Sequence, residues 1–195
     1  MTELYFVRHA QPDYRQGTNA TFVLSDEGMN DRLEAAKILS PISFDCAVSS
    51  PYRRSLLTIE PIVKSKNLQL TTDIRLRERD NQGGGSNTHE MFRKRWADFS
   101  FHEKGGECLD SVQKRNIAAL TDILKTHRDK TVLIGTHGTA LATIINYYDP
   151  SFLCEGFLRI IDYMPYIIRF TFDGDKYISR EELFYIEKEF HGVKQ

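Results

Sequence analysis

Two histidines each close a short apolar run. Leu4-Tyr5-Phe6-Val7 ends in Arg8-His9, and the stretch from Thr131 to Gly135 ends in Thr136-His137-Gly138. An arginine pair, Arg53-Arg54, follows the run from Phe44 to Val48 and the sequence Ser49-Ser50-Pro51, while Glu78 stands among Arg75, Arg77 and Arg79. These residue types suit phosphoryl chemistry. A neutral imidazole nitrogen is a competent nucleophile toward phosphorus when a dianionic ester is held in line and its charge is offset. Guanidinium groups offer forked donors to phosphate oxygens and stay charged at any working pH, so Arg8 and Arg54 can hold such an ester without a metal ion. Arg53 competes with Arg54 for this role, since either neighbour can face an anion while the other is solvated. Glu78 competes with ion pairing to the arginines on either side of it.

The elements that position these residues are readable around them. Leu4 to Val7 suits a buried strand. Ser25, followed by Asp26 and Glu27, reads as the N-cap of a helix that continues through Leu33, Ala36, Lys37 and Leu39 and stops at Pro41. Phe44 to Val48 is a second strand, and in Ser49-Ser50-Pro51 a serine can cap and the proline can open a helix whose first turn holds Arg53 and Arg54. Leu68 to Thr72 and Arg75 to Arg79 read as weaker extended segments, and Asn81 to Asn87, with Gly83-Gly84-Gly85, as a flexible loop. Helical patterns follow over His89–Phe99 and Glu107–Thr126, then a strand from Thr131 to Gly135. Ile167–Phe172 and Lys176–Phe184 flank Asp173-Gly174-Asp175 as a hairpin. Strands alternating with helices predict an α/β fold, a three-layer α-β-α sandwich with a largely parallel central sheet. Such sheets hold their ligands beyond the carboxyl ends of the strands, where Arg8, His9, Arg54 and His137 fall.

Arg8-His9, Ser49-Ser50-Pro51-Tyr52-Arg53-Arg54, Leu76-Arg77-Glu78 and Thr136-His137-Gly138, in this order along nearly the whole chain, resemble the histidine phosphatase superfamily, also called phosphoglycerate-mutase-like. Gly105-Gly106-Glu107 resembles a further element of that family, with Cys108 where serine is usual. The resemblance implies one catalytic domain over residues 1–195, needing no cofactor or metal, that acts on a small-molecule phosphate ester. It implies that His9 attacks to form a phosphohistidine, that Arg8, Arg54 and His137 bind the phosphate, with His137 donating to its oxygens, and that Glu78 protonates the departing oxygen before water discharges the intermediate. Motif alignment favours Arg54 over Arg53. Ala10 replaces the glycine usual after the first histidine. The asparagine that touches phosphate in mutase-like members has no counterpart in Gln11-Pro12-Asp13-Tyr14-Arg15. Residues 79–82, Arg-Asp-Asn-Gln, lack the tyrosine-glycine-glycine element of the mutases, which favours a phosphomonoesterase. A phosphoglycerate mutase and a non-catalytic module binding a phosphorylated ligand are the alternatives.

Composition sets the remaining bounds. A formal net charge of -1, with 41% hydrophobic and 27% charged residues, fits a globular chain and argues against a nucleic-acid or anionic-membrane surface. The start lacks the basic and apolar regions of a secretory signal, so a cytoplasmic location is expected. The apolar stretch from Phe157 to Phe172 carries Arg159, Asp162, Pro165 and Arg169, which suits a core segment better than a membrane span. Cys46, Cys108 and Cys154 form no C-x-x-C pair and read as free thiols. His89, His102, His127 and His191 are assigned no role, and no pattern specifies an oligomeric state. Trp96, Phe92 and Phe99 fall at helical spacing, as core or as a lid over substrate. Specificity is expected from residues 81–87, from the helices after them and from residues 154–166.

Overall fold

The computed structural model describes residues 1–82 and 87–190, so the Gly83–Gly85 loop and His191 lie outside the described residues. Its centre is a six-stranded mixed sheet in the order β3-β2-β4-β1-β5-β6. β1 (Thr2–Arg8), β2 (Cys46–Ser49), β3 (Leu70–Thr72) and β4 (Thr131–Thr136) run parallel, and β5 (Tyr163–Asp173) joins β1 antiparallel and makes a hairpin with β6 (Lys176–Glu187). Helices cover both faces, as the α/β expectation required.

Two-sided burial explains why the central strands read as unbroken apolar runs. Leu4 and Phe6 of β1 and Val132 and Ile134 of β4 face one core, together with residues of α3 (His89–Ala97), α4 (Leu109–Thr126), α5 (Gly138–Tyr148) and α6 (Cys154–Ile160). Tyr5, Val7 and Leu133 point the other way, onto α1 (Asp26–Ile38) and α2 (Arg53–Ser65), where Ala35, Ile59 and Ile62 meet them. A fully buried Leu or Phe contributes about 1.5–3 kcal/mol, and β1 carries such side chains on both faces. The strand at the heart of the sheet is therefore the one that ends in Arg8-His9.

Local signals agree with most of the expected elements. The Ser25 side chain accepts the Gly28 N–H and caps α1, whose last helical residue is Ile38. The turn between β5 and β6 has Gly174 at φ +61, a left-handed conformation that glycine adopts without a steric penalty. Two readings change. The helix expected to open at Pro51 begins at Arg53, because the Ser50 hydroxyl takes the Tyr52 N–H and turns the chain ahead of the helix. Residues 75–79 are not a strand. A 3-10 turn, Ile74–Leu76, is capped by Asp73, and the backbone beyond is held by side chains. The stretch from Phe157 is split between α6 and β5, so its apolar residues serve two elements of the same core.

β2 and β4 approach closely at Gly135. A Cβ there would stand 2.4 Å from Ser49 Oγ and 2.8 Å from Ser55 Oγ, both on fully buried residues. Gly135→Ala is expected to lower the urea-unfolding free energy by about 1–3 kcal/mol, the usual range for overpacking a filled core. An unchanged denaturation midpoint would show that the two serines have room to move.

Candidate active site

Sheet register assembles the site. Arg8 pairs with Thr136 across β1 and β4, and Ser49 with Gly135 across β2 and β4, so the residues that follow, His9, His137 and Ser50, leave the same edge together. His9 is buried, and its Nδ1 lies 2.8 Å from the Ala10 carbonyl oxygen. A carbonyl only accepts, so Nδ1 carries the proton and Nε2 keeps its lone pair. Burial, reinforced by the Arg54 and Arg8 charges, holds His9 well below the ordinary imidazole pKa and leaves it neutral near pH 7. The His137 ring centre is 5.2 Å from that of His9. Burial, then the Arg54 charge, depresses its pKa in the same direction. Its Nε2 is 2.7 Å from Ser50 Oγ, and its buried Nδ1 has no partner among the described residues.

Arg8 and Arg54 are both buried, whereas Arg53 is exposed. Arg8 donates from Nη1 to Ile160 O at 2.5 Å and from Nη2 to Ile161 O at 2.8 Å, the carbonyls where α6 ends. Arg54 donates from Nη1 to Asn19 O and from Nη2 to Asn19 Oδ1 at 2.9 Å. Each guanidinium thus rests on neutral oxygens and keeps a buried Nε–H without a partner. Gly138 makes room for Arg8: a Cβ at that position would lie 3.1 Å from Arg8 Cζ.

Glu78 does not pair with its neighbouring arginines. Arg75 binds Asp73 and Asp122, Arg77 binds Glu107, and Arg79 binds Glu103. The Glu78 carboxylate accepts from backbone, with Oε2 taking Thr139 N–H at 3.0 Å and Oε1 taking Ala140 N–H at 3.2 Å and Arg79 N–H at 2.7 Å. It therefore sits on the first turn of α5, one residue beyond Gly138, where exposed N–H groups favour an anion. Its backbone is held from behind. Arg115 donates to the carbonyls of Arg75, Arg77 and Glu78 and to both oxygens of Glu107, and Glu107 accepts the Asp80 N–H.

Arg8, His9, Arg54 and Glu78 line a cavity of about 750 Å³. His137 is not among its lining residues and is fully buried beside His9 and Tyr52. The opposite wall is aromatic, with Phe92, Trp96, Phe157 and Phe190, so two of the three aromatics at helical spacing serve core and cavity together. Further along, Arg79 and Arg95 line the cavity with Glu103 bridging them. Arg79 Nη1 has no hydrogen-bond partner among the described residues. Nowhere among the described residues do three His, Cys, Asp or Glu side chains converge as a metal-binding group.

The sequence pattern of the histidine phosphatase superfamily (branch 1) matches residues 4–176. The chain belongs to that superfamily. Phosphoserine phosphatase 1 of Hydrogenobacter thermophilus is 29% identical over 150 residues, which cover 70% of this chain and 71% of that protein. The solved structure of Bacillus stearothermophilus YhfR matches with a TM-score of 0.75 at 22% identity, covering 100% of this chain and 98% of that one. Phosphoserine phosphatase from Entamoeba histolytica, solved with 3-phosphoglyceric acid, matches with a TM-score of 0.73 at 19% identity over 100% of both chains. Both structures share this fold.

Within this chain the motif residues are brought together, but several of their partners were not singled out from sequence. Asn19, the anchor of Arg54, lies four residues beyond the stretch inspected for an asparagine, and its side chain also donates to Arg79 O at 3.2 Å. Arg115 and Glu103 carry no local signal, since each acts on residues far away in sequence. Ser50 was read as a helix cap.

The two depressed imidazoles make stability depend on pH. Below about pH 6.5 the unfolded chain takes up protons at these histidines that the folded chain refuses, so stability falls as pH drops from there toward the folded-state values. Each contributes up to about 1.4 kcal/mol per pH unit in that range. The loss of unfolding free energy between about pH 7.5 and 5.5 is expected to be smaller in His9→Asn than in the native chain. Parallel curves from urea titrations at several pH values would contradict the buried, neutral state of His9.

Proposed function

We propose that this chain is a metal-independent phosphomonoesterase that works through a phosphohistidine on His9. The observation that supports it is a cluster of buried N–H donors without partners, Arg8 Nε and Arg54 Nε, joined by His137 Nδ1, around a neutral imidazole with its lone pair on Nε2. Buried polar groups are rarely left unpaired, and such exceptions gather where a ligand supplies the partner.

In the proposed reaction Glu78 starts in its protonated form and His9 Nε2 attacks phosphorus. The new N–P bond forms as the ester P–O bond breaks, and Glu78 gives that proton to the departing alcohol oxygen. Water then attacks phosphorus, Glu78 takes back a proton, and inorganic phosphate leaves with His9 restored. Arg8 and Arg54 offset the charge on the equatorial oxygens throughout, the role that positioned cations play in phosphoryl transfer. The alcohol portion of the ester faces the aromatic wall and the Arg79–Glu103–Arg95 cluster. Arg79 lines the cavity there with its Nη1 free of hydrogen bonds among the described residues, which favours a small ester with a further anionic group. Phosphoserine and 3-phosphoglycerate, named for relatives of this fold, are esters of that kind.

The test is release of inorganic phosphate from a panel of small esters in the presence of EDTA, with His9→Ala run beside the native chain. Turnover that resists EDTA and vanishes in the variant is expected, together with radiolabel retained on native protein quenched in mid-reaction. Folded native protein that isomerises phosphoglycerate without releasing phosphate would instead be a mutase.

Glu78 is tested by leaving group. Glu78→Gln is expected to slow alkyl phosphates by about 100-fold or more while barely affecting p-nitrophenyl phosphate, whose departing oxygen needs no proton. Equal slowing of both would remove the acid role.

A further inference from the structure

Among the described residues, one side chain alone is hydrogen-bonded to either site histidine. It is Ser50, whose Oγ lies 2.7 Å from His137 Nε2. We propose that Ser50 is a positioning residue that fixes the tautomer of His137, putting its proton on Nδ1 and making that nitrogen a donor toward the phosphoryl group.

The assignment follows from where each proton can go. Ser50 is fully buried, and its Oγ also accepts the Tyr52 N–H at 3.2 Å. A hydroxyl has one proton to give, and the only acceptor within reach of this one among the described residues is His137 Nε2. Nε2 therefore holds the lone pair. Because the ring is neutral, its single proton is on Nδ1. The reverse arrangement crowds two donors onto Oγ and leaves the serine proton buried without an acceptor, an unmade hydrogen bond that costs about 1–3 kcal/mol. It also turns a lone pair on Nδ1 toward any phosphate oxygen near it. The sequence of this turn thus sets two features of the site together: Ser50 directs the His137 proton, and four residues later Arg54 enters from the first turn of α2.

The outcome is a pair of neighbouring imidazoles in opposite tautomers. Ala10 O holds the proton of His9 on Nδ1 and frees Nε2 to attack. Ser50 occupies Nε2 of His137 and leaves Nδ1–H free to donate. Free histidine prefers the proton on Nε2, so the arrangement at His137 runs against the intrinsic preference and depends on its partner. The tautomer stands on the geometry alone, whereas its catalytic consequence rests on the phosphomonoesterase reading above.

Long-range ¹⁵N–¹H correlation spectra of ¹⁵N-histidine-labelled protein, taken near pH 7.5 without ligand and assigned with His137→Asn, read the tautomer directly. The native chain is expected to show a protonated Nδ1 and an unprotonated Nε2 at His137, and Ser50→Ala to shift the ring toward the Nε2–H form. The same variant is expected to lower kcat on the preferred ester by about tenfold or more, with a smaller change in KM, because a donor to the transition state is lost. An Nε2–H signal in the native chain overturns the proposal, as does a Ser50→Ala ring that stays in the Nδ1–H form. The native spectrum decides the tautomer even if the alanine variant does not fold. It also does so independently of turnover, so native protein that releases no phosphate would count against the phosphomonoesterase reading and leave the tautomer measurement standing.

Discussion

Burying two guanidinium groups beside two imidazoles is the constraint that shapes this site. An unsolvated cation costs several kcal/mol unless its donors are satisfied. Elsewhere in the chain the arginines meet this cost with carboxylates: Arg32 with Glu60, Arg75 with Asp73, Arg77 and Arg115 with Glu107, and Arg79 and Arg95 with Glu103. Arg8 and Arg54 use carbonyl and amide oxygens, which satisfy the donors without cancelling the charge. Their positive potential is left for an anionic ligand, and it is also one of the forces that keep both histidines unprotonated. The choice of a neutral partner thus reaches from packing to chemistry. It explains why the end of α6 and the loop carrying Asn19 have to lie where they do.

Glu78 faces the complementary problem, since a carboxylate among so many arginines must be kept from closing onto the nearest one. Two devices prevent this. Every flanking arginine is paired with another acid, and the carboxylate is drawn onto the N–H groups at the start of α5. Arg115 reaches from α4 to the carbonyls of Arg75, Arg77 and Glu78, so Glu78 is held through its backbone as well as through its side chain. The anchoring helix begins immediately after His137. The positions of acid and histidine are therefore linked through one turn of backbone.

Much of this was legible in the sequence because it depends on order along the chain. Strands buried on both faces produce the apolar runs at residues 4–7 and 131–135, and the polar residues that end those runs must sit at the sheet edge. Arg8, His9 and His137 follow from that rule. Choosing between Arg53 and Arg54 needed the helix phase, since adjacent residues on a helix point about 100° apart and one faces in while the other faces out. Asn19, Glu103 and Arg115 were not legible. Their contacts with Arg54, with Arg79 and with the backbone around Glu78 span 35, 24 and 37 to 40 residues, and a lone asparagine or glutamate has no periodicity that reveals a distant contact. The contact of Ser50 with His137 was hidden for the same reason, since the two residues are 87 apart in sequence.

Chemistry and selectivity rest on different kinds of structure here. The end of the cavity that holds Arg8 and His9 is made of strand termini, and register between β1, β4 and β2 fixes their relative positions to within a residue, because a slip by one would turn every side chain to the opposite core. The facing wall comes from α3, α6 and the segment after β6, with Phe92 and Trp96 on the first, Phe157 on the second and Phe190 on the third. None of these belongs to the sheet, so the wall can differ in shape and polarity among proteins that keep the same sheet edge. A substitution there reshapes the cavity without moving His9. That separation is the physical reason the motif residues of this chain fall at the sheet edge while the residues of the facing wall carry no motif.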